Sequence, residues 1–199
     1  MTRPTPPRPA RLADLQLVEV PHRAAWRDWL RANHGVSSGI WLAVGKKGHS
    51  VTSLTYEEAV EEALCFGWID STVNRLDEHR FKQLFTPRKP GSTWSRSNKS
   101  RVERLIEAGR MTPAGLASID RAKVDGSWSF LDEVEELVVP PDLAAALAKA
   151  PAAKDAFHAL PDSARKQLLY WIAFAKRPET RGKRIAEAVR AAAEGRRLV

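Results

Sequence analysis

The run WIDSTVNRLDEHRFKQLFT at residues 68–86 predicts a β-hairpin. Side chains alternate in character along 68–75 and again along 81–86, and the polar turn Asp77-Glu78-His79 separates the two stretches. The side chains expected to face the core are Ile69, Val73, Phe81 and Phe85. Those expected on the opposite face are Trp68, Asp70, Thr72, Asn74, Arg80 and Lys82. One side of the predicted sheet is therefore polar and available for function.

Helices and one further strand are predicted on either side of the hairpin, from apolar spacing and from residues that begin or stop helices. Before the hairpin we expect a helix at 22–33, a strand at 39–46 and a helix that begins at the Thr55–Glu58 capping box. After it we expect a helix that ends near Gly109 and another that begins at Thr112-Pro113. Proline-punctuated helices follow at 141–150, 151–160, about 162–175 and about 179–193.

This order of elements predicts an α+β fold, with a small antiparallel sheet covered by helices and followed by an all-α C-terminal module. The expected division is a proline-rich arm at 1–20, an α+β domain at 21–130, an acidic linker at 131–139 and the helical module at 140–199. The arm is assigned no chemistry, because its prolines favour an extended chain without a core of its own.

Composition excludes several classes of protein. The 199 residues are 43% hydrophobic and 28% charged, which is typical of a globular chain and not of a fibrous or disordered one. A single cysteine, Cys65, excludes an internal disulfide framework and zinc sites built from several cysteines. No apolar run is long enough for a transmembrane segment, and the first residues lack the apolar part of a signal peptide. We therefore expect a cytoplasmic protein.

Positive charge is concentrated in two segments of a chain whose formal net charge is +8. Residues 75–110 contain ten basic and four acidic side chains, and residues 165–197 contain ten and three. Such segments favour anionic partners, which include nucleic acid, phosphorylated ligands and acidic protein surfaces. The alternative is that these cations belong to solvated faces with no partner.

The segment FTPRKPGSTWSRSNKSR, residues 85–101, combines cations, hydroxyls and an aromatic ring in a loop that leads into a helix. Free amides at a helix start attract phosphate or carboxylate, and nearby cations can close around the anion. The alternative is a structural one, in which Trp94 fills the core and the hydroxyls cap the helix. The predicted ligand site combines this segment with the sheet, through Trp68, Asp70, Asn74, Arg80, Arg88, Lys89, Trp94, Arg96 and Lys99.

Catalytic and metal chemistry have weaker signals in the sequence. Asp70 is the candidate acid or base, although cations beside it would favour a structural ion pair instead. Cys65 and His79 are less favoured participants, because no nucleophile and base stand at a recognisable spacing. The five histidines stand far apart, so we expect no metal site and no cofactor.

Several motifs resemble the YdeI/OmpD-associated family of bacterial proteins, also called the bacteriocin-protection (OmdA-like) family. In the first part of the chain these are CFGWIDS at 65–71, FTPRK at 85–89, WSRSNK at 94–99 and GRMTPAG at 109–115. In the last part they are LPDS at 160–163, WI at 171–172, AKRPETR at 175–181 and RI at 184–185. The resemblance covers about residues 35–195. It implies a role in resistance to bacteriocins and cationic peptides, and it supplies no agreed catalytic residues.

These observations lead to three hypotheses of function. The first is a cytoplasmic, non-enzymatic binding protein that takes an anionic small molecule or an acidic protein surface. The second is a nucleic-acid-binding protein that uses the basic segments 75–110 and 165–197. The third is an enzyme that acts on an anionic substrate with Asp70 as acid or base. The sequence leaves the oligomeric state open.

Overall fold

The structure of the protein is a computed structural model that describes residues 12–46 and 53–196. Most of the expected proline-rich arm lies outside the described residues. From Leu12 onward this part of the chain forms a short 3-10 helix, Leu12–Asp14, and a strand, β1, Leu17–Val18. The chain divides into two compact units. The α/β unit comprises Met1–Ser92 with Ser97–Trp128, and the helical unit comprises Thr93–Arg96 with Ser129–Val199.

The α/β unit contains the predicted elements. Its helices are α1 (Arg23–Asn33), α2 (Tyr56–Cys65), α3 (Arg96–Glu107), whose first residue is grouped with the helical unit, and α4 (Pro113–Val124). Its strands after β1 are β2 (Ile40–Gly45), β3 (Trp68–Arg75) and β4 (Arg80–Pro87). The capping box at Thr55 and the N-cap at Thr112 are both present. Local sequence signals therefore placed these helix starts correctly.

The described strands form one four-stranded sheet in the order β1-β2-β4-β3. The hairpin of β3 and β4 is antiparallel, as predicted, and β4 also pairs antiparallel with β2. At the far edge, β1 pairs parallel with β2. The sheet thus places β4 in its interior, where both neighbours satisfy the backbone hydrogen bonds of this strand.

The predicted assignment of side chains to the two faces of the hairpin is wrong in part. Asp70 lies opposite Phe85, and Val73 lies opposite Gln83, so the pairing register shifts by one residue between Asp70 and Val73. An extra residue of this kind reverses the facing of everything beyond it. Trp68 and Asp70 therefore share the face of Phe85, whereas Asn74 lies opposite Lys82 on the other face.

Burial confirms this correction. Trp68 is 1% exposed and its indole N–H donates to the carbonyl of His34 at 3.2 Å. Val73 stays on the face of Phe85, opposite Gln83, but it is 59% exposed, so the expectation that it joins the core is also wrong. On the covered face, the ring centroid of Trp26 lies 5.6 Å from that of Phe85. The Trp26 indole N–H donates to the carbonyl of Ala59 at 3.1 Å and joins α1 to α2. The core of the unit therefore lies between the sheet and these two helices.

The start of α4 packs directly on the end of α2. A Cβ atom on Gly115 would lie 2.3 Å from the carbonyl oxygen of Cys65, a distance that real Cβ atoms do not reach. The hydroxyl of Thr112 donates to the same carbonyl at 2.6 Å. Glycine is therefore required at position 115 by the close approach of the two backbones.

The helical unit has a core of its own. Its helices are α5 (Asp132–Glu135), α6 (Pro141–Ala148), α7 (Pro151–Ala159), α8 (Asp162–Ala173) and α9 (Pro178–Ala193). Leu143, Phe157 and Ile172 are among the buried side chains of this core. The segment 131–139, expected as a linker, contains α5 and contributes Val134 to the same core.

Candidate ligand site

Asp70 on β3 is bound by side chains from a helix and from the neighbouring strand. The Tyr56 hydroxyl, at the first residue of α2, donates to Asp70 Oδ2 at 2.6 Å. The Gln83 amide on β4 contacts the same oxygen at 3.4 Å and donates to the carbonyl of Ser71 at 3.2 Å. Within the described part of the chain, the other carboxylate oxygen, Oδ1, accepts no hydrogen bond. Asp70 therefore keeps acceptor capacity for a ligand.

Arg88 follows β4 directly and is 5% exposed. Its backbone N–H donates to the carbonyl of Gly67 at 2.9 Å, which fixes the residue beside the start of β3. Burial lowers the pKa of the Arg88 guanidinium to about 10, and the negative charge of Asp70 opposes this shift. Since burial has the larger effect, Asp70 offsets only part of the hydration that Arg88 loses.

Arg101 on α3 lies close enough to Asp70 for their charges to interact. Its guanidinium binds Glu57 in a bidentate pair, with Nε to Oε1 at 2.8 Å and Nη2 to Oε2 at 2.6 Å. Nη1 donates to the side-chain oxygen of Asn98 at 2.9 Å. The pKa of Arg101 is raised, first by its hydrogen bond to Glu57 and in smaller part by other nearby groups, which include the negative charge of Asp70.

We call these side chains the Asp70 cluster: Tyr56, Asp70, Gln83, Arg88 and Arg101. Burial and the hydrogen bond to Asp70 raise the pKa of the Tyr56 hydroxyl well above its usual range, so Tyr56 remains a donor at neutral pH. The cluster thus presents cations from two elements around a carboxylate with a vacant acceptor. Such an arrangement suits a ligand that carries both an anionic group and a hydrogen-bond donor.

The structure separates the predicted sheet residues. Of the set Trp68, Asp70, Asn74 and Arg80, Asp70 is in the cluster, and Trp68 is buried in the core. Asn74 is exposed near the far end of β3. Arg80, at the start of β4, binds Asp77 at 2.7 Å and Glu19 at 3.0 Å. Positions at opposite ends of a hairpin with eight-residue strands are too far apart to share one small ligand.

The predicted loop residues also divide. Lys89 is exposed, and Lys99 holds its ammonium 5.2 Å from the ring centre of Trp128. Trp94 is 1% exposed, so its ring offers no surface on which a ligand can stack. Arg96 is exposed and lies 3.8 Å from Glu136. Trp94 and Arg96 belong to the helical unit. Of the nine predicted site residues, the structure brings Asp70 and Arg88 together in one cluster.

Many cations of the basic segments already have carboxylate partners. In the segment 75–110, Arg101, Arg104 and Arg110 bind acidic side chains of α2. In the segment 165–197, Arg181 binds Asp142 at 2.6 Å, and Arg190 binds Glu187. Paired charges attract phosphates less strongly than unpaired ones, so these contacts weaken the electrostatic case for nucleic acid.

Cys65 and His79 are the remaining catalytic candidates. Among the described residues, neither forms a hydrogen bond with Asp70, whose donors are Tyr56 and Gln83. Cys65 is buried, and burial raises the pKa of its thiol, which disfavours a reactive thiolate. His79 is exposed in the hairpin turn. No group of three or more histidine, cysteine, aspartate or glutamate side chains in the described ranges is placed to hold a metal ion.

Sequence reasoning missed Tyr56, Gln83 and Arg101. Tyr56 directly follows the Thr55 N-cap, and a polar Gln83 interrupts the apolar side of a strand; both are signals that sequence reading could have used. Arg101 offers no such signal, because its distance from Asp70 along the chain hides their proximity in the fold. The cluster therefore depends on contacts among α2, α3 and the sheet.

Comparisons with known proteins match the two parts of the chain to different family models. Residues 18–118 match a domain of unknown function (DUF8412), and residues 136–195 match OmdA, described as bacteriocin-protection, YdeI or OmpD-associated. The OmdA match thus covers a shorter part of the chain than the expected 35–195. No curated protein and no solved structure matches the chain significantly. Among the described helices, none has the length and apolar character that a membrane span requires.

Proposed function

Because the chain belongs to the DUF8412 family and carries an OmdA segment at 136–195, we propose that it is a binding protein that contributes to protection against bacteriocins or cationic antimicrobial peptides. In this proposal the protein acts in the cytoplasm and without catalysis. Its α/β unit binds a small anionic ligand at the Asp70 cluster. The OmdA description supports the biological role, and the geometry of the cluster supports the ligand class.

The observation that carries the ligand class is the burial of Arg88 beside Asp70. A buried guanidinium loses several kcal/mol of hydration, which only well-placed opposite charge and hydrogen bonds restore. The negative charge of Asp70 contributes to this, and a ligand anion close to Arg88 would add to the same stabilisation. Arg88 is also too buried to meet a flat protein surface, so a small ligand is favoured over an acidic protein partner.

The ligand requires two features to fit the cluster. Its phosphate or carboxylate would pair with Arg88, since Arg101 is already engaged by Glu57. Its hydroxyl or amine would donate to the vacant Oδ1 of Asp70, because a ligand with anionic groups alone would be repelled by this carboxylate. Phosphorylated or carboxylated metabolites that also carry hydroxyl or amino groups have both features, whereas inorganic phosphate is a minimal probe of the first.

The first experiment measures thermal stability with inorganic phosphate and a panel of hydroxylated phosphate and carboxylate metabolites. A ligand at about 100 times its dissociation constant stabilises the folded protein by about 2.7 kcal/mol. We expect Arg88→Gln to weaken the binding of any hit by at least about tenfold, or about 1.4 kcal/mol. Lys89→Gln, an exposed change at the adjacent residue, should leave binding within about twofold.

Two results would contradict the ligand proposal. The first is uniform silence of the panel at millimolar concentration. The second is a hit whose binding Arg88→Gln and Lys89→Gln weaken equally. This result would mean that the anion is attracted by the overall positive charge of the chain and not bound at Arg88. Calorimetric titration of both variants, with melting curves to confirm folding, separates the outcomes.

The biological role has a separate test. A bacterial strain that lacks this gene is complemented with the wild-type chain, with Arg88→Gln and with Lys89→Gln, and its survival in polymyxin is compared. We expect Arg88→Gln to lose protection and Lys89→Gln to retain it. Cell fractionation of the same strains tests the proposed cytoplasmic location. Equal survival of the complemented and empty-vector strains would refute the role in protection.

An enzymatic role is the second candidate, and the Tyr56–Asp70 contact of 2.6 Å favours it. A carboxylate held by a phenol can accept a proton from a bound substrate. If the site is catalytic, NMR will show conversion of a bound hit by the wild-type chain, and Asp70→Asn will abolish this conversion. If the site only binds, the hit will remain unchanged, and Asp70→Asn will affect only its affinity.

A further inference from the structure

The helical unit contains an open cleft between α8 and α9, far in sequence from the Asp70 cluster. Its volume is about 770 Å³. The lining comes largely from one side of α8, with Arg184 from α9. This volume lies within the range of about 300–1,000 Å³ that is typical of small-molecule sites.

Aromatic rings form one wall of this cleft. The rings of Tyr170 and Phe174 are stacked, with their centroids 4.8 Å apart and an angle of 24° between their planes. Trp171 lies beside them in sequence and lines the same cleft. Phe174 remains well exposed at the end of α8. Exposed rings that line a cavity provide stacking surface for a planar apolar ligand.

The lining carries the charged side chains of Lys166, of Asp162, which binds Arg165, and of Arg184. The charge that an anionic ligand would meet is that of Arg184. Its guanidinium carbon lies 5.1 Å from the ring centre of Trp171, and one of its N–H groups donates to the Trp171 carbonyl. Both partners are uncharged, and within the described residues no carboxylate lies within ion-pair distance of Arg184. By contrast, the other cation of the lining, Lys166, is paired with Glu135 at 2.7 Å. Arg184 is thus a cation whose charge is not neutralised by a carboxylate.

We propose that this cleft is a second binding site, which takes a small planar aromatic ligand that bears one anionic group. The aromatic body would stack against Tyr170 and Phe174, and the anionic group would pair with Arg184. The Trp171 ring and carbonyl hold the Arg184 guanidinium in place and leave its other N–H groups for the ligand. The site shares no residue with the Asp70 cluster and does not depend on it.

The test compares two fluorescent probes with similar aromatic bodies. 8-Anilinonaphthalene-1-sulfonate carries an anionic sulfonate, and N-phenyl-1-naphthylamine carries no charge. We expect the wild-type chain to bind the sulfonate at one site per chain and at least about tenfold more tightly than the neutral probe, since only the sulfonate gains a charge-assisted contact with Arg184. Titration of intrinsic and probe fluorescence gives both affinities.

Variants assign this preference to individual side chains. Arg184→Gln should reduce the preference for the sulfonate to about twofold and leave the neutral probe unaffected, whereas Arg184→Lys should retain most of it. Arg190→Gln, on the same helix but outside the cleft, is the matched control and should bind like the wild type. Phe174→Ala should weaken both probes, because it removes stacking surface without touching the charge.

Clear outcomes would overturn the proposal. These are equal affinity of the wild-type chain for the two probes, equal effects of Arg184→Gln and Arg190→Gln, or unchanged binding in Phe174→Ala. If Arg184→Gln does not fold, Phe174→Ala still tests the proposal. Phe174 is exposed, so its substitution should not disturb folding, and the binding of both probes must become weaker. Arg88→Gln should leave probe binding intact, which distinguishes failure here from failure of the ligand site in the α/β unit.

Discussion

Glu62 on α2 is fully buried and is held by arginines from other parts of the α/β unit. Arg23 and Arg27 on α1 each bind it at 2.6 Å, and Arg110, which follows α3, binds the same carboxylate. A buried carboxylate is stable only when charge and hydrogen bonds replace its hydration. Glu62 therefore forms ion pairs with three arginines, and these pairs connect α2 to α1 and to the turn before α4.

We expect Glu62→Gln to destabilise the protein by about 1.5–3 kcal/mol, because a neutral amide replaces the buried carboxylate that three partly exposed arginines share. Urea denaturation followed by circular dichroism measures the free energy of unfolding. Glu61→Gln is the control: this neighbouring carboxylate is partly exposed, and its loss should cost about 1 kcal/mol or less. Similar losses in the two variants would show that Glu62 has no special structural role.

The start of α2 links a local sequence motif to the candidate site. The Thr55 hydroxyl accepts from the backbone N–H of Glu58 at 3.2 Å, and the Glu58 carboxylate accepts from the backbone N–H of Thr55 at 2.9 Å. This capping box fixes the first turn of the helix, where Tyr56 and Glu57 reach Asp70 and Arg101. An element whose start is determined locally thus positions side chains of the Asp70 cluster.

The capping box predicts a pH-dependent effect of Thr55→Ala. The backbone hydrogen bond from Thr55, and in smaller part the bond that its hydroxyl donates at 2.9 Å, lower the pKa of Glu58 below its usual value. Thr55→Ala removes the hydroxyl bond and keeps the backbone one. A carboxylate whose pKa is lower in the folded state contributes stability above its unfolded pKa and loses it as pH falls through the folded pKa. We expect Thr55→Ala to cost about 1 kcal/mol at about pH 7 and clearly less at about pH 3. Urea denaturation of both proteins at the two pH values measures the difference, and an equal cost at both would contradict the role of Glu58.

The whole molecule has separate hydrophobic cores in its two units. In the α/β unit, Trp26 and Phe85 pack between α1 and the sheet. In the helical unit, Phe157 is buried with Leu143 and Ile172 among α6, α7 and α8. The contacts that stabilise each core lie within one unit. We therefore expect that each unit can unfold locally while the other stays folded.

We expect Phe157→Ala to destabilise the helical unit by about 3–5 kcal/mol, through lost burial and the cavity that remains. Hydrogen exchange with mass spectrometry should show faster exchange in peptides from α6 to α9 and unchanged exchange in β2 and β4. Phe130→Ala removes an exposed ring from the same unit and serves as the control. Faster exchange in β2 to the same extent as in α7 would mean that the chain opens as one cooperative body.

Most elements of the fold could be predicted from local sequence signals. The hairpin of β3 and β4, the capping box at Thr55, the Thr112 N-cap and the proline-led helices after 140 were all predicted correctly from sequence. Each of these features depends on side chains within a few residues of one another, where backbone geometry leaves few alternatives. The sequence by itself therefore determined the α+β class and the positions of these elements, whereas β1 and α5 were not predicted from it.

Only the tertiary structure decided which side chains are buried and which of them form the Asp70 cluster. A one-residue shift in pairing after Asp70 moved this carboxylate and Trp68 to the covered face, and no alternation pattern reveals such a shift. The burial of Arg88, the contact between Tyr56 and Asp70, and the pairing of Arg101 with Glu57 join residues that are 14 to 44 positions apart or depend on what covers them. Such contacts result from the packing of whole elements, so the composition of the site follows from the fold and not from the order of residues in any one segment.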